Sequence, residues 1–519
     1  MDRTIKLILI LLLIFTPIAF GSVGLWAFSV MELGILLIIV LGALQGLSSS
    51  RRKSDSSLHS VIRHAPRGVH GSPEPHWIQG QSPEPHPANG GIRGALRIPH
   101  SAFILLLFSL FLALVLFQMI PLPAGLLKII SPKTNQLHFE LSALPFEPSS
   151  SSFELSALSF NLSFFPFATE IEFIKWLSLG LLFFFLLHWR PFLEERRMIY
   201  QLMIAILLVG IGESLYGMFE YFSGHQHILF LEGSALMSSV TGTYINRNYF
   251  AGYLLLVIPM SIGFFFSRPF HQHVHSISGT IPLIVPSLSK DWRTWLSSLD
   301  GKSLLLGFGI ILMILGLLFS ASRMGIISLL LSFTLISLLF RDTRNDRRVS
   351  AKSVLILGLA LLWAAWIGLD AVINRFFSAS EDFKIRWEIW RNTYQILKDF
   401  PLFGSGLGTF VQVFPMYRSF HLQGLVTHAE NDFLQLAAEV GLVGVGILVL
   451  LFGFLFIKSA SAIRRLSSND PEKYVGIGGL VGILALMFHS LVERNIQVPS
   501  NAFLFTLLWA MVLRTSAKR

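Results

Sequence analysis

The chain has 519 residues, of which 53% are hydrophobic and only 13% are charged. Soluble domains carry about 25% charged residues, so this composition excludes a large soluble protein. The net charge of +10 does not indicate nucleic-acid binding, because lysine and arginine are concentrated in a subset of the segments between apolar runs. We therefore expect no nucleic-acid partner. The chain contains no cysteine, which excludes disulfides and thiolate metal ligands.

Apolar residues occur in runs, and each of twelve runs approaches the length of about 20 residues that a transmembrane helix needs. The predicted spans lie near 5–20, 29–47, 101–120, 173–189, 199–218, 249–267, 303–320, 324–340, 353–371, 434–457, 474–491 and 500–514. The sequence therefore predicts an all-α, polytopic integral membrane protein of about twelve transmembrane helices.

The loops between the spans differ in charge, and this difference predicts the side of the membrane that each loop occupies. If the N-terminus is cytoplasmic, most of the 40 lysines and arginines fall in loops on the cytoplasmic side, and segment 341–352 alone contains five of them. Positively charged loops remain in the cytoplasm. We therefore predict that both termini are cytoplasmic and that segments 219–248 and 372–433 lie on the outer side.

Composition divides the chain into five parts. These are two N-terminal spans (1–47), a cytoplasmic low-complexity loop (48–100), further spans with an outer low-complexity loop at 121–172 (101–240), a region with the polar motifs described below (241–457), and the C-terminal spans (458–519). Each low-complexity loop contains a short repeat, such as Ser-Pro-Glu-Pro-His at 72–76 and 82–86. The histidines of 48–100 match no metal-ligand spacing, so we expect a solvated loop there.

The largest outer segment, 372–433, lies between predicted spans nine and ten. Residues 383–399 within it are predicted to form an amphipathic helix, because Trp387, Trp390 and Tyr394 recur on one face. Aromatic side chains of this kind favour the headgroup level of a bilayer. We expect this helix to lie on the membrane surface.

Polar residues that could carry chemistry are concentrated at the outer ends of predicted spans. They form three clusters, at 243–248, 320–325 and 427–432. The first two clusters each contain one arginine, Arg247 or Arg323, on the side where cations are disfavoured. A guanidinium group binds phosphate oxygens through two parallel hydrogen bonds, so two such residues indicate an anion site. The alternative for either arginine is an interfacial anchor or a structural ion pair.

The third cluster, Thr427-His428-Ala-Glu430-Asn431-Asp432, combines an imidazole with carboxylates. Such a combination is typical of acid–base catalysis. The same residues also fit a capping box, in which Thr427 begins a helix and Glu430 reaches back to it. Helix N-termini attract anions, so a capped end beside two arginines would suit a pyrophosphate group.

Several ordered stretches carry a resemblance to a known family. They are Arg386-Trp-Glu-Ile-Trp390, Pro401-Leu-Phe-Gly404-Ser-Gly406-Leu-Gly408, His428-Ala-Glu430-Asn431-Asp432-Phe-Leu-Gln435 and Glu439-Val-Gly441-Leu-Val-Gly444. In these stretches the chain resembles the O-antigen ligase and polymerase family. Asn246-Arg247-Asn248-Tyr-Phe-Ala251 and Ser320-Ala-Ser-Arg323 are similar to two earlier motifs of that family. The resemblance covers about residues 240–450.

The resemblance implies an enzyme of the bacterial inner (cytoplasmic) membrane with a periplasmic active site. It would move an undecaprenyl-pyrophosphate-linked glycan to an acceptor hydroxyl, with inversion at the sugar and without a metal ion or another cofactor. Its expected partners are the lipid-linked donor, the acceptor and membrane lipids. The resemblance alone implies this reaction; composition and spacing do not.

The resemblance also implies roles for individual residues. Arg247 and Arg323 would hold the pyrophosphate, and the supporting positions would be Asn248, Ser322, Arg386 and Asn431. Either His428 or Glu430 would be the catalytic base; we favour His428, with Glu430 as a second base or as the residue that orients it. The family spacing, counted back from Gly441, falls on Glu430, whereas His428 is the only imidazole of the cluster.

Two acceptors and one rival function stay open. A ligase would move the glycan to lipid A-core, whereas a polymerase would move it onto another lipid-linked repeat. A transporter or flippase for the same lipid-linked glycan would act without catalysis, and it would need polar residues at the midplane of several spans. Predicted spans six to nine contain few charges at depth, so the sequence favours the enzyme.

Overall fold

The computed structural model of the protein describes residues 1–63, 100–142, 159–224, 227–232, 239–267, 300–340, 369–422, 424–467 and 470–517. Most of the predicted cytoplasmic loop 48–100 and nearly all of the predicted ninth span, 353–371, lie outside the described residues. Segment 341–352, which carries the strongest positive charge, lies outside them as well.

The described residues are almost entirely helical. The helices are α1 (Asp2–Ile18), α2 (Leu25–Arg63), α3 (His100–Met119), α4 (Ala124–Ile130), α5 (Pro132–Ser142), α6 (Pro166–His188), α7 (Arg190–Glu194), α8 (Arg196–Ser223), α9 (Arg247–Phe266), α10 (Gly301–Phe319), α11 (Arg323–Leu339), α12 (Leu369–Asp399), α13 (Phe410–Val413), α14 (Asp432–Arg465), α15 (Pro471–His489) and α16 (Pro499–Ala517), with 3-10 turns at Phe20–Ser22 and Phe414–Met416. Two antiparallel pairs of very short strands join β1 (Leu122–Pro123) to β2 (Ser159–Phe160) and β3 (His227–Ile228) to β4 (Leu231–Glu232).

Eight helices in the described ranges are long and apolar enough to cross a membrane, namely α2, α3, α6, α8, α9, α10, α14 and α15. Three further predicted spans coincide with α1, α11 and α16. The prediction of an all-α, polytopic membrane protein is therefore confirmed. The number of twelve spans stays a prediction, because the ninth lies outside the described residues.

Helix α9 lies at the centre of the bundle, and 83% of the residues in its most apolar stretch are buried. It packs against α15 at very short range. A Cβ atom added at Gly263 would lie 2.5 Å from the carbonyl oxygen of Tyr474, and one at Gly478 would lie 2.4 Å from that of Pro259. Small residues permit this close approach of two helices in a membrane, and it holds the C-terminal half of α9 against the first half of α15.

Helix α14 is broken at Gly441, which has φ 65° and ψ −177°. A break of this kind leaves backbone groups without helical partners, and inside a membrane such groups must be satisfied by the protein. Segment 401–406 satisfies them: Leu442 donates to the carbonyl of Pro401 at 2.8 Å, and Gly406 donates to that of Glu439 at 3.0 Å. The first turns of α14 are thereby attached to the outer segment.

Segment 372–433, which we predicted to lie on the outer side, contributes most of a second apolar core, separate from the main core of the bundle. It includes Ile389, Ile396, Phe400, Phe410, Phe414 and Val426. The amphipathic helix predicted at 383–399 is confirmed as part of α12, where Ile389 and Ile396 are buried while Trp387 and Tyr394 are exposed. The predicted outer loop at 121–172 is more ordered than its composition indicated, since it contains α4, α5 and the β1–β2 pair.

Candidate functional site

Residues 427–431 form a turn directly before α14. The first residue of this helix is Asp432, and its N-cap is Asn431, whose side chain accepts a hydrogen bond from the backbone N–H of Leu434 at 3.0 Å. The alternative interpretation of Thr427 and Glu430 as a capping box is therefore wrong. An asparagine at the helix start is as effective a cap as threonine, and the chain turns out of helical geometry at Glu430.

Glu430 adopts a left-handed backbone conformation, with φ 51°. Such conformations are uncommon for residues other than glycine and cluster at functional sites. Ala321, in the predicted cluster between α10 and α11, has φ 52°. Two of the three predicted polar clusters thus contain a residue in this strained region.

The loop 490–498, between α15 and α16, is bonded to the start of α14. The buried side chain of Asp432 accepts hydrogen bonds from the backbone N–H groups of Asn495, at 2.8 Å, and Ile496, at 2.7 Å. The N–H of Asp432 donates to the carbonyl oxygen of Ser490 at 2.9 Å. These bonds hold the loop 490–498 against the turn that contains His428 and Glu430.

This loop contributes two charged residues that the sequence analysis missed, Glu493 and Arg494. Arg494 donates to Nε2 of His428, and its guanidinium group lies 6.0 Å from the ring centroid of Tyr249 at the start of α9. A sequence signal for Arg494 did exist. Arg494 stands at the predicted outer end of a span, as Arg247 and Arg323 do.

His428 is largely buried and has one ring nitrogen engaged. Burial, followed by the nearby Arg494 cation and Lys175, lowers the pKa of His428 to about 2. Its Nε2 accepts from Arg494, so the ring proton is on Nδ1, which has no hydrogen-bond partner among the described residues. The imidazole is therefore neutral, and its free electron pair is directed at a cation.

Arg386, on α12, lies on the other side of the turn. Its Nη1 is 2.5 Å from Oε1 of Glu493 and donates to the carbonyl oxygen of Val492 at 2.7 Å. The carboxyl groups of Glu493 and Glu430 are within hydrogen-bonding reach of each other. The structure thus brings Arg386, His428 and Glu430 together, and Glu493 with Arg494 connects them.

The first turns of α9 and α11 form the remaining part of the site. Asn246 caps α9 by accepting from the N–H of Asn248 at 2.8 Å, and Arg247 follows as a half-buried residue. Ser322 stands at the N-cap position of α11 but makes no capping hydrogen bond; its Oγ lies 3.3 Å from Nε2 of His489. Arg323, also half-buried, follows it.

His489 joins this part of the site to the loop 490–498. Asn495 donates through Nδ2 to Nδ1 of His489 at 3.0 Å, while Ser322 lies at its other ring nitrogen. A Cβ atom added at Gly325, in the first turn of α11, would lie 3.4 Å from that of Ala251 in the first turn of α9. Two helix N-termini, each with an arginine, are therefore neighbours. Within the described part of the chain, no group of three or more His, Asp or Glu is arranged to hold a metal ion.

Residues 308–449, from α10 through most of α14, match the family model described as O-antigen ligase. This part of the chain is similar to O-antigen ligases. The resemblance found in the sequence motifs is therefore confirmed, and the protein is a membrane protein related to glycan ligases and polymerases. A comparison with curated proteins gave no match.

The O-antigen ligase match covers only part of the site. Arg323, Arg386 and Glu430 lie within the matched residues, whereas Arg247, on α9, and the loop 490–498 lie outside them. The loop 490–498 is joined to the matched residues by the hydrogen bonds of Asp432 and Arg494.

Proposed function

We propose that the protein transfers a glycan from undecaprenyl pyrophosphate to an acceptor hydroxyl on the periplasmic face of the bacterial inner membrane. The observation that carries the proposal is the convergence of the Glu430 turn, the arginines 386 and 494, and the first turn of α9 in a protein with a region similar to O-antigen ligases. Glu430 lies beside Glu493, which pairs with Arg386, and this combination of carboxyl and guanidinium groups suits a reaction in which an anionic leaving group departs.

In the proposed reaction, Glu430 takes the proton of the acceptor hydroxyl. The hydroxyl oxygen then attacks the anomeric carbon from the face opposite the pyrophosphate, and the bond from that carbon to the pyrophosphate oxygen breaks. The electron pair of this bond goes to the leaving lipid pyrophosphate, so the sugar inverts and no metal ion takes part. Arg247 and Arg323 neutralise the developing charge, as preorganised cations do in other transfer reactions.

The hydrogen bonds favour Glu430 over His428 as the base. A base needs an electron pair that is available to the substrate proton, and the free pair of His428 already accepts from Arg494. The low pKa of His428 also makes it a poor proton acceptor. We assign to His428 the role of positioning Arg494, which lies over Tyr249.

A lipid-linked donor is supported by an apolar cavity of about 100 Å³ between α3, α6, α14 and α16. Its walls are almost entirely apolar and include Phe108, Trp176, Phe452, Phe505 and Trp509. An apolar lining of this kind suits a hydrocarbon chain, and α3, α6 and α14 are long and apolar enough to cross a membrane.

A chain of hydrogen bonds connects this cavity to the site. Gln497 lines the cavity and accepts from Nε2 of Gln435 at 3.2 Å. The other side-chain atom of Gln435, Oε1, accepts from the N–H of Ala429 at 3.0 Å. Since Ala429 lies between His428 and Glu430, a lipid chain in the cavity would have its head group near the base.

The proposal is tested with purified protein in lipid nanodiscs and undecaprenyl-pyrophosphate-linked repeats as donor. Transfer to lipid A-core would identify a ligase, and lengthening of the lipid-linked glycan would identify a polymerase. Movement of the lipid-linked glycan across a vesicle membrane without transfer to either acceptor would contradict the proposal and favour the transporter.

A further inference from the structure

A second buried glutamate lies beside the proposed base. Glu493, in the loop 490–498, is only 4% exposed. Its Oε1 is held by Arg386 at 2.5 Å, and the same arginine nitrogen donates to the carbonyl of Val492. Arg386 therefore fixes this carboxyl group from the α12 side, with one oxygen occupied.

The other oxygen, Oε2, is buried and lacks a donor. No N–H or O–H group of the described residues donates to it, although the carboxyl group of Glu430 is within hydrogen-bonding reach. A buried acceptor without a donor is destabilising, and two adjacent carboxylates repel each other. One proton between the two carboxyl groups removes both penalties, as in other carboxyl pairs that share a proton.

We propose that Glu493 and Glu430 share one proton in the resting protein, with the proton on Glu493, so that Glu493 is the residue that positions the base. Glu493 then accepts from Arg386 through Oε1 and donates through Oε2 to the ionised carboxylate of Glu430. When Glu430 takes the proton of the acceptor hydroxyl, the pair holds two protons. One of them returns to water after the product leaves, so the proton balance closes over each turnover.

The surroundings of Glu493 support a proton at neutral pH. Burial raises the pKa of its carboxyl group, the Arg386 cation opposes this shift, and the Glu430 carboxylate adds to it, with a net value of about 8. Arg386 acts from α12 and Glu430 from the turn before α14, while Arg494, the next residue in the loop, bonds to His428. A group with this pKa is protonated below about pH 8 and loses its proton above it, which leaves two carboxylates in contact.

The decisive variant is Glu493→Gln, because an amide reproduces the protonated carboxyl group. Its oxygen accepts from Arg386 and its NH₂ group donates to Glu430, so we expect transfer at neutral pH within about tenfold of the wild type. Glu493→Ala removes both bonds and should lower transfer by about 10- to 100-fold. The wild-type rate should fall above about pH 8, whereas the rate of Glu493→Gln should not fall there.

The matched control is Glu472→Gln, at the opposite end of α15. Glu472 is also buried, but it pairs with Arg514 at 3.1 Å and is far from the proposed chemistry. Its replacement should leave the alkaline limb of the pH profile unchanged. If Glu493→Gln is as inactive as Glu493→Ala, then Glu493 is an ionised partner of Arg386 and the shared proton is wrong.

The expected transfer rates rest on the proposed function. A second measurement tests the shared proton without depending on glycan transfer. A hydrophobic carbodiimide modifies protonated carboxyl groups and spares ionised ones. Mass spectrometry of the wild-type protein should show modification of Glu493 at neutral pH and its loss well above pH 8. No modification at neutral pH would overturn the shared proton, whereas modification in a protein that transfers no glycan would overturn the proposed function alone.

Discussion

Replacing Glu430 and His428, each by glutamine, separates the base from the residue that positions Arg494. Glu430→Gln keeps the size and hydrogen-bonding ability of the side chain but cannot accept a proton as a base. His428→Gln removes the imidazole but supplies an amide oxygen that accepts from Arg494 in place of Nε2. Glutamine therefore removes the ability to accept a proton at position 430. At position 428 it retains the ability to accept the hydrogen bond of Arg494.

The expected losses of transfer rate differ strongly between the two variants. A positioned general base contributes roughly 10²–10⁴-fold to the rate, which corresponds to about 2.7–5.4 kcal/mol of transition-state stabilisation, so Glu430→Gln should lose that much. A hydrogen bond to a charged group contributes about 1.5–3 kcal/mol, and His428→Gln preserves it. We therefore expect His428→Gln to lose no more than about tenfold, or 1.4 kcal/mol.

The assay is the initial rate of glycan transfer in nanodiscs, with membrane abundance and donor binding measured for each variant. Glu388→Gln on the exposed side of α12, where Glu388 is 3.8 Å from Arg391, serves as a control because surface ion pairs contribute little. An active Glu430→Gln together with an inactive His428→Gln would refute the assignment and make His428 the base. Equal loss in both would mean that the two residues act as a unit.

Three further predictions concern the arginines, the topology and Asp432. Replacing Arg247 or Arg323 by lysine keeps the charge but loses the bidentate fork, so transfer should fall strongly at normal membrane abundance; unchanged rates would exclude both residues from pyrophosphate binding. A single cysteine at position 420 should react with an impermeant thiol reagent in intact cells and one at position 345 should not, and the reverse result would overturn the topology. Asp432→Ala removes two charge-assisted hydrogen bonds to the loop 490–498 and should destabilise the protein by roughly 3–6 kcal/mol, whereas Asp432→Asn should cost less; thermal unfolding in detergent measures both.

The membrane spans were predictable because a bilayer requires long runs of apolar residues, whatever the tertiary packing. Helix ends and irregular segments were harder. The break at Gly441 lies inside an apolar run, and only the docking of segment 401–406 explains why the chain can leave helical geometry there. Likewise, α4 and α5 in a segment of low complexity depend on packing that no local pattern indicates.

The site was predictable in part. The family motifs located Arg386, His428 and Glu430 in one region, and the structure brings these three together. Glu493 and Arg494 were missed because they follow the motifs by some sixty residues in the chain and reach the site only through the bonds of Asp432. The capping box was mistaken because Thr427 and Asn431 are both good N-caps, and only the left-handed turn at Glu430 decides between them.

The break in α14 bears on how a lipid reaches the enzyme. The part of α14 between Gly441 and Lys458, residues 442–457, is about 24 Å long at 1.5 Å per residue, which is less than the hydrocarbon core of about 30 Å. The turns of α14 before the break therefore complete the crossing, and the Glu430 turn, directly before the helix, belongs near the depth of the phospholipid head groups. Under the proposed function, a lipid-linked sugar diffusing in the plane of the bilayer would meet the proposed base without being lifted out of the membrane.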